Sequence, residues 1–87
     1  MNDPARDPRQ LGALIRRARK KQGLSQQQLG GKTGLRQETI SLIETGNPAS
    51  RLDTLLTVLA ALDLEFLIAP RSKDWSQSMV REMMEDF

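Results

Sequence analysis

The stretch that decides the fold is residues 23–46, GLSQQQLGGKTGLRQETISLIETG. Within it, Ser25 is followed three residues later by Gln28, the pattern of a capping box. In a capping box a hydroxyl and an amide side chain satisfy backbone N–H groups at the start of a helix. This pattern predicts a short helix that runs to about Lys32. Gly34 then suits the left-handed backbone conformation that ends a helix.

A second helix is predicted directly after this turn, at about Arg36–Thr45, and Gly46 lies just beyond its end. Two short helices joined by a glycine-containing turn form a candidate helix-turn-helix. Such a pair needs an apolar anchor, a small residue where the helices touch, a flexible turn, an apolar plug and two apolar residues three apart. The sequence supplies all six at the required spacing: Leu29, Gly30, Gly34, Leu35, Ile40 and Ile43.

Two further helices are predicted on either side of this pair. The first runs from Arg9 to just before Gly23, because four apolar residues recur at helical spacing. These residues are Leu11, Leu14, Ile15 and Ala18. The last runs from Arg51 to about Leu62, where Ser50 and Asp53 repeat the capping-box pattern. Its expected apolar stripe consists of Leu52, Leu55, Leu56 and Leu59.

The segment that follows, Leu64–Ala69, reads LEFLIA and predicts a short strand. The expected fold class is therefore all-α: a compact four-helix helix-turn-helix domain with a short C-terminal strand, expected to pair between molecules, and an amphipathic tail. The predicted organisation is a flexible arm at 1–8, a helix-turn-helix domain at 9–70 that includes the strand at 64–69, and a C-terminal tail at 71–87.

Length and composition indicate a binding protein rather than an enzyme. A chain of 87 residues forms one domain with one modest core. It contains no cysteine and no histidine, which excludes disulfides, the common zinc sites and the usual general base. We therefore expect no metal and no cofactor. No apolar run approaches the ~20 residues needed to span a bilayer, so the expected location is the cytoplasm, without membrane contact.

The net charge of +2 conceals an asymmetry along the chain. Residues 1–36 carry nine lysines and arginines but only two acidic side chains, whereas residues 37–87 carry four basic and nine acidic side chains. A basic half favours a polyanionic partner such as nucleic acid. The alternative is that the basic run between Arg16 and Lys21 is simply a solvated helix face.

Residues 23–46, together with RLDTLLTVLAALDL at 51–64, resemble the phage-repressor-like family of helix-turn-helix proteins (XRE, Cro/C1-type). Within that family the chain is most similar to HipB-type antitoxins, because LEFLIA and the tail stand where a fifth helix is usual. The resemblance implies a homodimer joined through this strand, by Leu64, Phe66 and Ile68. It also implies repression of the protein's own operon and binding of a HipA-like kinase toxin.

The same resemblance implies a set of residues that contact double-stranded DNA. Gln26 matches a glutamine that contacts backbone phosphate, and the first two turns of the third helix enter the major groove. Gln37 is the expected base reader, since a carboxamide can bond adenine N6 and N7 together. Arg19 and Glu44 match a structural pair. The complete DNA-binding set is Ser25, Gln26, Lys32, Arg36, Gln37, Glu38, Thr39 and Ser41.

Three positions depart from the family pattern and make the operator sequence unpredictable. Arg36 stands where a serine or threonine cap is frequent, so it loses a cap and gains a possible phosphate contact. Glu38 either accepts a hydrogen bond from cytosine N4 or repels the DNA. Leu42 replaces a polar base reader, and it either touches a thymine methyl group or is packed in the core.

The tail carries an apolar stripe at helical spacing, preceded by the single tryptophan, Trp75. We predict that Trp75, Met79, Met83 and Phe87 bind a protein partner, because methionine-rich stripes suit adaptable binding faces. Alternatively, the tail packs on its own domain or on the dimer mate, or it is disordered.

The expected function is thus a homodimeric repressor that binds an inverted-repeat operator and serves as the antitoxin of a HipA-like kinase. Two alternatives remain open. One is a stand-alone or phage-type repressor without a toxin. The other is a protein-interaction module that holds a kinase and uses the helix-turn-helix only as a scaffold.

Overall fold

The computed structural model describes residues 3–71, and these residues contain four α-helices. Their bounds are α1 at Pro8–Lys21, α2 at Gln26–Thr33, α3 at Gln37–Glu44 and α4 at Leu52–Ala61. The expected all-α helix-turn-helix fold is confirmed. The tail residues Trp75, Met79, Met83 and Phe87 lie outside the described residues, so their role stays a prediction.

The first helix begins one residue earlier than predicted, inside the expected arm. Asp7 is its N-cap and accepts a hydrogen bond from the backbone N–H of Gln10 at 2.8 Å. Pro8 follows at the first helical position, where its missing N–H costs nothing and its fixed φ suits the helix. An aspartate cap before a proline is therefore the signal that sets this boundary.

One hydrophobic core joins the four helices. Helix α3 packs against both α1 and α2, while α4 packs against α2. Gly12 makes the approach of α1 to α3 possible, because a Cβ there would clash with the carbonyl oxygen of Ile43 and lie 2.7 Å from that of Glu44. The buried apolar residues are Ile15, Leu29, Ile40, Ile43, Val58, Leu59 and Leu62.

Helix α4 differs from its prediction in two respects. Its N-cap is Arg51, without a side-chain cap, so the predicted capping box of Ser50 and Asp53 is wrong. The turn before the helix explains the difference, since Asn47 accepts the N–H of Ser50 through its backbone oxygen at 3.2 Å and thereby delays the helix start. The inward face also differs from the predicted stripe: Leu52 is 63 % exposed and Leu56 is 48 % exposed, whereas Val58 is fully buried.

The predicted strand does not form within the chain. Residues 64–70 carry no regular secondary structure, because an all-helical domain offers no sheet edge with which they can pair. Several of their apolar side chains face solvent instead, with Phe66 at 41 % and Ile68 at 87 % exposure. Pairing with a second chain therefore remains a prediction.

Candidate nucleic-acid interface

The turn between α2 and α3 has the geometry of a helix-turn-helix. The predicted capping box is present at its start: the Ser25 hydroxyl accepts the N–H of Gln28 at 3.0 Å, and the Gln28 side chain accepts the N–H of Ser25 at 2.8 Å. Gly34 ends α2 with φ +74°, in the left-handed region that favours glycine. Gly30 lies against the next turn, since a Cβ there would be 2.7 Å from the carbonyl oxygen of Leu35.

Helix α3 turns one face to solvent, and that face is polar except for Leu42. Its inward face consists of Ile40, Ile43 and Glu44, all buried. Because successive helical residues turn by about 100°, the opposite face is centred on Glu38 and Leu42. Both of these side chains are exposed. Thr39 and Ser41 flank this centre line and are half-buried. Gln37 is exposed at the first turn of α3, on the side of the helix that also carries Ile40 and Glu44.

Leu42 is not packed in the core, so one of the two alternatives left open by the sequence is excluded. Its side chain is 53 % exposed and does not belong to the core cluster. Arg36 also behaves as the sequence indicates: it is the N-cap of α3 and makes no side-chain cap hydrogen bond. A guanidinium has no acceptor atom, so the Arg36 side chain cannot cap the N–H groups of this helix.

A buried ion pair fixes α3 against α1. Arg19 donates from Nε to Glu44 Oε2 at 2.6 Å and from Nη2 to Oε1 at 3.0 Å. Arg19 also donates from Nη1 to the carbonyl oxygen of Leu24 at 2.7 Å, in the loop between α1 and α2. The hydrogen bond to Glu44 raises the pKa of Arg19 above its ordinary value, while burial opposes the rise and the charge of Glu44 adds to it.

Gln26 belongs to the same cluster, which its sequence position did not indicate. Its Nε2 atom donates to Glu44 Oε1 at 3.2 Å, and the residue is half-buried. A carboxamide carries two N–H donors, so this bond uses one and leaves one for another acceptor. Glu44 therefore orients both Arg19 and Gln26, and it links α1, α2 and α3 at one point.

The other predicted DNA contacts lie at the surface. Ser25 is exposed at the N-terminus of α2, Lys32 is exposed near the end of α2, and Arg36 is exposed before α3. A helix N-terminus favours anions, because its first N–H groups lack partners within the helix. Further exposed basic side chains lie along α1, namely Arg16, Arg17, Lys20 and Lys21.

The described residues contain no group of His, Cys, Asp or Glu side chains that could hold a metal ion. Within residues 3–71, no helix has the length and apolar character needed to cross a membrane.

A family model for helix-turn-helix proteins (HTH_3) matches residues 15–67 of the chain, which include α2, the turn and α3. The chain belongs to this helix-turn-helix family. The six residues that form the helix pair and its turn, Leu29 to Ile43, all lie inside the matched range, so the resemblance seen in the sequence is confirmed.

Two curated relatives come from Sinorhizobium fredii (strain NBRC 101917 / NGR234), and both are described as uncharacterized HTH-type transcriptional regulators. The one called y4dL is 44 % identical over 57 residues, which cover 66 % of this chain. The one called y4mF is 36 % identical over 64 residues, which cover 72 % of this chain and 84 % of the relative. The aligned part spans only 29 % of y4dL, so that relative is much longer than this helix-turn-helix chain.

Solved structures of HipB have the same fold. This helix-turn-helix chain matches HipB in a complex described as HipB-O4 20mer with a TM-score of 0.76 and 27 % identity, covering 82 % of this chain and 100 % of that one. It matches HipB in a HipA-HipB-O2-O3 complex with a TM-score of 0.74 and 29 % identity, again covering 82 % and 100 %. The predicted likeness to HipB-type proteins is thus confirmed.

Two features of this interface were missed at the sequence level. Gly12 was not singled out, although it sets the distance between α1 and α3, and the bond from Gln26 to Glu44 was not expected. The role of Gly12 has a weak sequence signal, since a glycine inside an apolar helical stripe indicates close packing. The bond from Gln26 to Glu44 has no sequence signal, because the two residues are 18 positions apart and meet only when α2 and α3 pack together.

Proposed function

We propose that this protein is a sequence-specific transcriptional repressor that binds an inverted-repeat operator in double-stranded DNA as a homodimer. The observation that carries the proposal is the solvent side of α3, where Gln37 and Glu38 are exposed and Thr39 and Ser41 are half-buried, on a helix that buried contacts hold in place. Precise placement of a short helix is what base reading in the major groove requires. In this proposal the protein works in the cytoplasm as a binding protein, without a cofactor, a metal or catalysis.

The base-reading role falls mainly to Gln37, at the first position of α3. A glutamine carboxamide can accept and donate at the same time, which matches N6 and N7 of adenine in the major groove. Thr39 and Ser41, on either side of the helix face, supply hydroxyl groups for bases or phosphates. Glu38 restricts the operator sequence at the base pair it faces, because a carboxylate there needs a hydrogen-bond donor such as cytosine N4.

Phosphate contacts are proposed for the N-terminus of α2 and for the two basic residues near the turn. Ser25 and Gln26 stand beside unpaired helical N–H groups, and Gln26 keeps one N–H free of Glu44. Lys32 and Arg36 add positive charge close to the reading helix. Such contacts position a protein on the duplex and carry no sequence information by themselves.

The homodimer is proposed from the segment after α4. Leu64, Phe66 and Ile68 alternate along the chain, as residues on one face of a strand do. Their side chains are exposed, and the segment forms no ladder within its own chain. In an isologous two-stranded ribbon, the same segment of a second copy pairs with this backbone and covers its apolar side chains. A homodimer therefore provides both the backbone pairing and the cover that the segment lacks within its own chain.

The antitoxin role is the finer part of the proposal. It is supported by the likeness to HipB in a complex with HipA, and it names a HipA-like kinase toxin as the second partner. The tail residues Trp75, Met79, Met83 and Phe87 are the proposed contacts to that partner. A neighbouring gene for such a kinase, together with co-purification of its product, supports this role, and its absence favours a stand-alone repressor.

A protein-interaction module is the second candidate, and one observation favours it. A groove runs along α1 towards the segment after α4, and its apolar lining includes Leu11, Leu14, Leu55 and Phe66. Apolar grooves of this kind receive protein partners. If this were the whole function, the outer face of α3 would be unimportant for DNA, which the following experiment decides.

The experiment is selection of duplexes from a randomised DNA library, followed by binding measurements on the selected sequence. We expect an inverted repeat whose half-sites lie about 34 Å apart. Replacing Gln37→Ala should weaken binding to that sequence by about 1–3 kcal/mol and leave binding to unrelated duplexes unchanged. Gln27→Ala, an exposed glutamine on α2, is the matched control and should keep the sequence preference. Failure to enrich any sequence would contradict the proposal.

A further inference from the structure

We infer that Leu42 reads thymine in the operator, through contact of its isobutyl side chain with the 5-methyl group in the major groove. The inference rests on the proposed function and goes beyond it by assigning a base to Leu42, which is not among the readers proposed there. The observation behind it is an exposed apolar side chain on the helix that carries the proposed reading residues. Leu42 is a large apolar side chain that is 53 % exposed on a short helix.

The position of Leu42 on α3 directs it away from the protein. Ile40, Ile43 and Glu44 form the buried side of the helix, and Leu42 lies across from them on the line that also contains Glu38. These two are the outermost side chains of α3, so any duplex that receives this face meets them first. Leu42 is absent from the buried core cluster and from the partly buried residues packed against it.

The backbone around Leu42 is held in place, which a reading side chain requires. Its carbonyl oxygen accepts the backbone N–H of Asn47 at 3.0 Å and the Thr45 hydroxyl at 3.1 Å. These bonds close the end of α3, so Leu42 belongs to an ordered helix end rather than a frayed one. A stiff backbone and a short side chain together limit the places that the isobutyl group can reach.

The chemistry of the groove then selects the base. An isobutyl group can neither donate to a phosphate nor bond to a base edge, so its only favourable partner in the major groove is an apolar one. Thymine alone among the four bases presents such a group, the C5 methyl. Leu42 lies one turn from Glu38, about 6 Å along the helix axis, so the two residues address different base pairs.

The test uses the duplex selected by the full chain, in which each thymine in turn is replaced by deoxyuridine, a change that removes only the methyl group. For the unmodified protein we expect one thymine in each half-site at which deoxyuridine weakens binding about fourfold, the value for one buried methyl group. Leu42→Ala should abolish this difference between thymine and deoxyuridine. Leu42→Met, which keeps an apolar side chain, should retain most of it.

The matched control is Leu52→Ala, because Leu52 is also an exposed leucine but lies on α4. This variant should keep the same ratio between its affinity for the duplex with thymine and its affinity for the duplex with deoxyuridine. A selected duplex that is bound specifically but shows no position sensitive to deoxyuridine, or one whose sensitivity survives Leu42→Ala, overturns the inference and leaves the proposed function standing. If no duplex is bound specifically, the proposed function fails and the inference falls with it.

Discussion

Arg19 on α1 and Glu44 on α3 form a two-point ion pair inside the domain, with both side chains buried and separated by 25 residues in sequence. Glu44 also accepts from Gln26 on α2, so three helices meet at one carboxylate. The pair therefore connects stability to the position of α3, the helix that carries the proposed reading residues.

Removing one member of this pair should destabilise the domain strongly. Glu44→Gln leaves the Arg19 guanidinium buried without a counter-charge, which typically costs about 3–5 kcal/mol. Urea denaturation followed by circular dichroism measures the free energy of unfolding. Arg17→Gln, which removes an exposed arginine 3.8 Å from Asp3, is the control and should change that free energy by less than about 0.5 kcal/mol. Equal effects of the two substitutions would show that the buried pair is unimportant.

The contribution of Arg19 should not depend on pH over the ordinary range. The pKa of Arg19 is raised in the folded chain, so the stability it adds is fully present below the ordinary arginine pKa. That stability is lost only when the pH rises past the raised value. The loss of unfolding free energy caused by Arg19→Met should therefore be the same from about pH 6 to about pH 10. A loss that shrinks steadily across this range would contradict the assignment.

Two glycines should respond to alanine in opposite ways. Gly12→Ala places a Cβ against the backbone oxygens of Ile43 and Glu44, so we expect destabilisation of about 1–3 kcal/mol by overpacking. Gly31→Ala is the matched control on α2, where a Cβ meets nothing within 4 Å. It should stabilise the helix by up to about 1 kcal/mol. Thermal unfolding compares the two, and the prediction fails if Gly12→Ala is tolerated equally well.

The lysines at the end of α1 should act through charge alone. Replacing Lys20 and Lys21 with glutamine should reduce the slope of log affinity against log salt concentration by roughly 0.9 for each phosphate that is no longer neutralised. The ranking of operator variants should not change. Replacing Arg51 and Arg71 with glutamine removes the same charge outside α1–α3 and serves as the control. An unchanged salt slope for the lysine variant would show that the end of α1 does not contact the DNA phosphates.

The segment after α4 should hold the dimer. Phe66→Asp places a charge in the proposed apolar ribbon, so we expect monomers in sedimentation velocity experiments. Operator affinity should then fall by roughly 100-fold or more, since each monomer holds only one half-site. Glu65→Gln is the control, because alternate residues of a strand face opposite sides. A Phe66→Asp variant that still sediments as a dimer would remove this segment from the interface.

Local signals explain the parts of the fold that could be predicted. The capping box of Ser25 and Gln28 and the left-handed Gly34 act within a few residues, so their sequence pattern is enough to define α2 and the turn. The predicted start of α4 was wrong because a hydrogen bond outside the cap pattern decides it. Ser50 and Asp53 have the pattern of a cap, but the hydrogen bond from Ser50 to Asn47 belongs to the preceding turn and shifts the helix start.

The sequence by itself determined that residues 3–71 form four helices, that α2 and α3 make a helix-turn-helix, and that the front of the chain is basic. These properties follow from helix periodicity, caps and charge, which neighbouring residues set. Only the tertiary structure decided that Leu42 is exposed, that Leu52 faces solvent while Val58 is buried, and that Gln26 bonds to Glu44. Each of these depends on how separate helices pack, and a side chain is covered or paired only by residues that the fold brings from elsewhere in the chain.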